Sequence, residues 1–437
     1  MIKSVSPGSL CGTLAVMPSK SASHRAVMMA AMAAGTTRIE PLQLSKDVEA
    51  TLRCAQALGL IDAPEISPHA TPGFVRVCMH GGGSVMGGSV RTLDCGESGS
   101  TLRFFIPLAL DGRGPVRFTG QGRLMQRPLD VYEQLFAPLG VSWTQEGDSL
   151  TVCGALQSGE YRLRGDVSSQ FITGLLLALP RLDGDSTIRI TTSLESRAYV
   201  ELTRSVQQHF GVTSHWLDDG QTLFVPGRQK ILSPGHAHVE SDWSHAAFYL
   251  VAGAIGGAGL IRLTGLNLAS AQGDRAIVSI LEHMGAIIGR DSDGLTVCSS
   301  RLRPAVVDAS QIPDLVPVLA VAMAAADGES RITGAARLRI KESDRLSAMH
   351  RALTACGADV TELPDGLIIR GGKSLQGAQI DGCNDHRIVM AMAVASAIAR
   401  GEMIISDAEA VSKSAPAFWQ EFASLGGKAQ PCGESGK

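Results

Sequence analysis

The feature that most restricts how this chain can fold is an internal repeat. A segment with helical spacing, a Gly, a short strand and a second strand recur along it. They are marked by Gly59, Gly140, Gly211, Gly285, Gly357 and Gly426, at gaps of 81, 71, 74, 72 and 69 residues. A Gly just past a helix suits a left-handed C-cap, and Asp-Gly between strands, as at Asp293-Gly294 and Asp365-Gly366, signals a hairpin. A second series interleaves with the first. Ala- or Leu-rich helices are expected over 24–34, 101–110, 170–179, 245–255, 315–326 and 386–399, each followed by a Gly-containing turn and a strand. Six units of about 72 residues predict an α/β architecture with two domains of three units each. The Pro-Gly-His stretch at 234–238 lies midway and reads as the crossover between them.

Composition narrows the function classes. The 437 residues are 44% hydrophobic and 19% charged, as in a globular protein rather than a disordered one. The 39 Lys+Arg nearly balance 42 Asp+Glu, for a net charge of −3, and aromatics are 4%. That argues against a broad basic face or stacking platforms for nucleic acid. The longest apolar stretch, 246–261, has 16 residues, short of the ~20 that span a bilayer. It reads as a buried helix and the following strand, and no membrane partner is expected. Lys3 without an apolar segment gives no signal peptide, so a cytoplasmic location is expected. The nine cysteines are scattered, with no CxxC and no Cys/His group at zinc-ligand spacing. They read as reduced, mostly buried thiols, with no metal.

The most polar residues stand just ahead of the apolar helices. These are Pro18–Arg25, Gly96–Ser100 with Arg103, Asp166–Gln170, Ser241–His245, Pro313-Asp314 and Asn384–Arg387. Ser, Asp and Asn there are first of all N-caps, each contributing about 1 kcal/mol. For the fourth helix a cap suffices. The first, second, third and sixth add spare hydroxyls, amides and cations, which with free N–H groups at a helix N-terminus describe an anion site. Helix ends converging by pseudo-symmetry would face one cleft between the domains. The expected ligand is then a small molecule with more than one phosphate or carboxylate. No P-loop or dinucleotide fingerprint accompanies this, so a nucleotide is not implied. The run from Arg337 to Arg345 is dense in charge; on spacing alone it reads as readily as a solvated ion-paired face. Lys413 alone is a surface lysine, and Gln126-Arg127-Pro128 opens a helix.

With these residues in view, the chain resembles the EPSP synthase (3-phosphoshikimate 1-carboxyvinyltransferase) family of enolpyruvyl transferases. PSKSASHR, SGSTLR, QRP, SSQF, IPD, KESDR, NDHR and SK fall in the family's order along essentially the whole chain. The resemblance implies two domains, each of three α/β units with helices packed inside a ring of sheets. Residues 1–20 with 241–437 would form one domain and 21–240 the other, with the active site in the cleft between them. The implied reaction joins phosphoenolpyruvate to the 5-hydroxyl of shikimate 3-phosphate and releases phosphate, in the shikimate pathway of aromatic amino acid biosynthesis. No metal or organic cofactor is implied, and a monomer is expected.

By motif position, Glu342 would handle the proton at C3 of the enol, and Asp314 with Lys20 the hydroxyl proton. Lys20, Gly99, Arg127, Gln170, Arg345, Arg387 and Lys413 would surround phosphoenolpyruvate. Lys20, Ser21, Arg25, Ser168, Ser169, Ser196, Asp314 and Lys341 would hold shikimate 3-phosphate, with Gln170 against its ring. Two positions depart from the family pattern. Glu97 replaces a common Asn and is expected to point away or pair with a cation. Arg337 stands where some members carry an Asn. His386 is read as a structural neighbour of Arg387. Two alternatives remain: the related transferase acting on UDP-N-acetylglucosamine, which usually depends on a loop cysteine that has no match here, and a non-catalytic sensor of phosphorylated metabolites.

Overall fold

The computed structural model describes residues 1–83, 90–257 and 259–432. The repeat is realised as one topology used six times among the described residues. One copy runs strand Arg91–Asp94, helix Gly99–Ala109, strand Val116–Thr119, helix Asp130–Phe136, then the hairpin Ser142–Glu146 and Ser149–Cys153. The first two strands pair in parallel, and the hairpin's second strand lies antiparallel beside the second. The resulting order, first-second-fourth-third, recurs in six four-stranded sheets.

Two compact units result, Met1–Met17 with Ser241–Lys437, and Pro18–Glu240. Each contains three of the sheets. Three copies are completed by strands from distant parts of the chain. His236–His238 pairs in parallel with Gly35–Leu42. Gly12–Ala15 pairs in parallel with Leu260–Thr264, and Lys3–Ser6 lies between Met403–Ile405 and Lys428–Pro431. The stretch 234–238 is therefore not the crossover, because its strand completes a sheet of the second unit; the boundary falls at Glu240/Ser241. The first segment ends at Met17, so Lys20 lies in the second unit rather than with the first.

The first helix of each copy is the buried one. These central helices are α1 (Lys20–Met32), α2 (Gly99–Ala109), α3 (Ser169–Ala178), α4 (Trp243–Ile255), α5 (Val316–Ala325) and α6 (His386–Ala395). Their sequences are apolar nearly all round, which is stable only inside a core. All ten residues of α6 and nine of ten in α5 are buried. In the unit that starts the chain, α4, α5 and α6 pack on one another.

Several boundaries differ from expectation. α1 begins at Lys20 with Ser19 as N-cap, so Lys20–Arg25 forms its first turns rather than a preceding loop. α5 has no side-chain cap; the 3-10 turn Pro313–Leu315 precedes it, which leaves the Asp314 carboxyl for other work. The six marker glycines all have positive φ, from 70° at Gly140 to 95° at Gly285, as a left-handed helix exit requires. Gly294 and Gly366 do not. They open strands, where a Cβ would come within 1.8 Å of the Leu263 and Ile332 carbonyl oxygens respectively, so close backbone approach selects Gly there. The cysteines are less buried than expected. Cys54, Cys95 and Cys356 are buried, Cys11 is exposed and the rest are intermediate, all as free thiols.

Candidate functional site

Candidate residues gather into one cluster in each unit. In the unit Pro18–Glu240, the Lys20 amine is 2.9 Å from Asp47 Oδ2, in the first turn of helix Lys46–Ala57. Behind this pair, hydroxyls link α1 to α2: His24 Nδ1 meets Thr51 Oγ1 at 2.7 Å, and Thr51 meets Thr101 at 2.7 Å. Burial, and then the charges of Lys20 and Arg25, push the His24 imidazole well below its ordinary value. It is therefore neutral at physiological pH.

Ser98 caps α2 through the Thr101 amide. Next to it, Gly99 lies directly against the Arg127 guanidinium: a Cβ at Gly99 would be 2.7 Å from Arg127 Nη1. Ser168 caps α3 by accepting from the Gln170 amide. The Gln170 side chain is fixed at both ends, accepting from Arg103 at 2.9 Å and donating to Ser100 Oγ at 3.0 Å. Ser169 is buried and Ser21 partly so. Ser196 is 2% exposed and holds a φ of 56°, an uncommon conformation for a residue with a side chain.

Arg25 is held by four partners within its own unit. It is 3% exposed, and its guanidinium donates to Thr203, Thr173, Tyr199 O and Ser21 O. Burial lowers its proton affinity to about 10. Arg25 thus ties Ser21 to the Tyr199 and Thr203 region of the same unit. Glu97 packs against Gly122, whose Cβ would come within 2.7 Å of its carboxylate, as the tight turn there permits.

The second cluster centres on Arg345, whose side chain is 2% exposed. Its Nε donates to Asp385 Oδ2 at 2.8 Å, Nη1 to Asp314 Oδ1 at 3.0 Å and Nη2 to Glu342 Oε2 at 2.9 Å. Arg387 takes the other oxygen of Asp314 at 2.8 Å and its carbonyl at 3.1 Å. Asp385 also caps α6 and accepts from Ser343. The dense run 337–345 is therefore not a solvated face, because partners distant in sequence bury its last arginine. Burial pushes the Asp314 carboxyl up, but Arg387, Arg345 and Lys341 together hold it far below the usual carboxylate range. Asp385 is likewise held low, with burial again outweighed by Arg345.

Lys413 is no surface lysine; it is 5% exposed, and its amine donates to Asn384 O at 2.6 Å. Cys383 and Asn384 both have positive φ, so the approach to α6 is a strained turn held from outside. Arg337 is buried and donates to Ser310 O. Among the described residues, no group of His, Cys, Asp or Glu is arranged to hold a metal ion, and no helix is long and apolar enough to cross a membrane.

The family model described as EPSP synthase (3-phosphoshikimate 1-carboxyvinyltransferase) matches residues 5–422. The chain belongs to the EPSP synthase family. Curated relatives named 3-phosphoshikimate 1-carboxyvinyltransferase include one from Clostridium novyi, 43% identical over an alignment of 428 residues that covers 96% of each chain. Another, from Clostridium kluyveri, is 42% identical over 97% of each chain. A solved EPSP synthase from Acinetobacter baumannii superposes with a TM-score of 0.78 at 26% identity, covering 98% of this chain and all of its own. The enolpyruvyl transferase NikO from Streptomyces tendae has the same TM-score over 98% of both chains at 16% identity, which speaks to the fold alone.

Within this EPSP synthase framework, four further side chains support the site whose roles neither spacing nor motif shows. Asp47, partner of Lys20, is in sequence an ordinary acid in a first helical turn. Arg103, which fixes Gln170, stands 67 residues from it, so its position on α2 does not show the contact. Asp385 was visible only as a cap. Asp274, a buried carboxyl near Asp314, gave no signal at all.

Proposed function

We propose that this chain transfers the enolpyruvyl group of phosphoenolpyruvate to the 5-hydroxyl of shikimate 3-phosphate, with release of phosphate. The observation that carries this reading is the Asp314 carboxylate shared between Arg345 and Arg387, with Glu342 on the same Arg345. That is a set of buried cations able to bind an anion, with two carboxyl groups beside it that can accept or deliver a proton.

The reaction needs three things. C3 of the enol must gain a proton, the hydroxyl must attack the cationic C2, and C3 must lose a proton as phosphate departs. Glu342 is assigned the C3 proton in both directions. Asp314, with Lys20, is assigned the hydroxyl proton. In the cluster as it stands Asp314 is a weak base, because two arginines stabilise its charge. An anionic substrate that shares those arginines raises its basicity, so the base is switched on by binding.

Arg345, Arg387 and Lys413 on one unit, and Lys20 and Arg127 on the other, are assigned to phosphoenolpyruvate. Gly99 leaves room beside the Arg127 guanidinium. Ser21, Arg25, Ser168, Ser169, Gln170, Ser196, Asp314 and Lys341 are assigned to shikimate 3-phosphate. The two clusters are read as acting on one substrate pair. The fixed donors around the departing phosphate stabilise its developing charge without reorganising.

The test is phosphate release with both substrates, with each alone, and with UDP-N-acetylglucosamine in place of shikimate 3-phosphate. Release that requires both named substrates supports the reading. Release with the UDP sugar instead would assign the chain to the related transferase, and a folded protein that binds both without turnover would be a sensor.

A further inference from the structure

Asp274 stands apart from the residues assigned above. It lies in the 3-10 turn Gly273–Ala276, packed against α4, and is 2% exposed. Oδ2 accepts a hydrogen bond from Ser244 Oγ in the first turn of α4. Oδ1 is buried and meets no hydrogen-bond partner. A carboxylate so placed lacks most of the donors that would compensate its charge. The charges facing it come from three other elements: Asp314 from the turn before α5, Arg387 from α6 and Asp242 from the cap of α4. Burial raises its proton affinity most and Asp314 raises it further. Arg387 and Ser244 lower it, Asp242 adds a small rise, and the balance lies at about 7.

We propose that Asp274 is a positioning residue that exchanges a proton beside the Asp314–Arg387 pair, and that its protonation sets how strongly Arg387 holds the anionic end of phosphoenolpyruvate. This rests on the assignment of Arg387 to that substrate. With Asp274 neutral, Arg387 faces one carboxylate and the ligand. With Asp274 ionised, a second negative charge lies near the same guanidinium, offsets part of its pull on the ligand and repels the incoming anion. By reciprocity, an anion bound at Arg387 raises the proton affinity of Asp274. Binding therefore takes up a proton from solvent, and affinity weakens as pH rises through this step.

The experiment is kcat/KM for phosphoenolpyruvate, at saturating shikimate 3-phosphate, from pH 6 to 9. It compares the parent protein with Asp274→Asn and Ser244→Ala. The substrate's own phosphate titrates identically in all three, so the ratio between proteins isolates Asp274. The ratio of Asp274→Asn to parent is expected to rise about 3–10-fold across the range, a binding-induced shift of half to one pKa unit. Ser244→Ala removes a donor to the carboxylate, so its midpoint should move to higher pH. Parallel profiles for Asp274→Asn and parent would overturn the proposal. So would an unmoved midpoint in Ser244→Ala, which decides the matter if Asp274→Asn does not fold. A parent protein that turns over no phosphoenolpyruvate at any pH would instead overturn the assigned function, and this inference with it.

Discussion

Glu342 supplies one of the three carboxylates around Arg345, and its assigned work requires it to change charge during turnover. Gln keeps the shape and an acceptor for Arg345 but cannot carry that proton. Glu342→Gln should therefore lose about 10²–10⁴-fold in turnover, the usual contribution of a general acid–base group, with shikimate 3-phosphate affinity nearly unchanged. Steady-state kinetics beside direct binding checks this; near-normal turnover would remove Glu342 from the chemistry. Gly99 allows a sharper geometric test. A methyl group there would overlap the Arg127 guanidinium, the far end of a flexible side chain, so the protein should fold and the cation should move. Gly99→Ala is expected to raise KM for phosphoenolpyruvate several-fold with the thermal midpoint little changed. An unaltered KM would mean that Arg127 does not touch this substrate. The family resemblance marked both positions; spacing alone would have left Glu342 on a solvated face. Their surroundings were not legible, because Arg345 is buried by Asp314 and Asp385, 31 and 40 residues away. Spacing within KESDR gives no hint of those partners.

α4 illustrates what a helix pattern omits. Its polar start reads as a cap and nothing more, and Asp242 does cap it. Yet His245, also in the first turn, is buried with Nε2 2.6 Å from Glu421 Oε2, and Tyr249 donates to the same oxygen at 2.8 Å. Glu421 belongs to helix Phe418–Ser424, so the pair ties two helices from opposite ends of the segment. Burial lowers the His245 proton affinity, but the charge and hydrogen bond of Glu421 outweigh it and the net shift is upward. Glu421 is held low, with burial outweighed by His245 and Tyr249. The signs define a window. Glu421 contributes stability above the ordinary Glu value of about 4.3, and the contribution is lost as pH falls through its depressed value. His245 contributes below the ordinary His value of about 6.5 and is lost as pH rises through its elevated value. Glu421→Gln should therefore cost about 3–5 kcal/mol between these limits, since it strands a buried charge. The gap to the parent should narrow at higher pH, where His245 is neutral in both. Thermal unfolding from pH 5 to 9 checks it; a gap independent of pH would show that the pair is not ionised.

The sixfold copy number was legible because each copy repeats the same punctuation, a left-handed glycine exit and an apolar helix. The discontinuous division was not, since Lys3–Ser6 and Gly12–Ala15 meet partners hundreds of positions away and only pairing reveals them. The family resemblance alone pointed to it. If one ligand engages Ser168 and Ser169 as well as Asp314 and Lys341, shikimate 3-phosphate must stabilise both units. At a hundredfold excess over Kd the gain is about 2.7 kcal/mol. Hydrogen exchange should slow in both α3 and α5, which follow Ser168 and Asp314; protection confined to one unit would contradict a shared ligand. The most direct test of the whole account is a single turnover in D2O with phosphoenolpyruvate and shikimate 3-phosphate. An addition that protonates C3, followed by an elimination that removes a proton from the same carbon, must leave deuterium on the enolpyruvyl methylene of the product. Labelled product, lost in Glu342→Gln, is the expected result, and unlabelled product from the parent protein would contradict the mechanism.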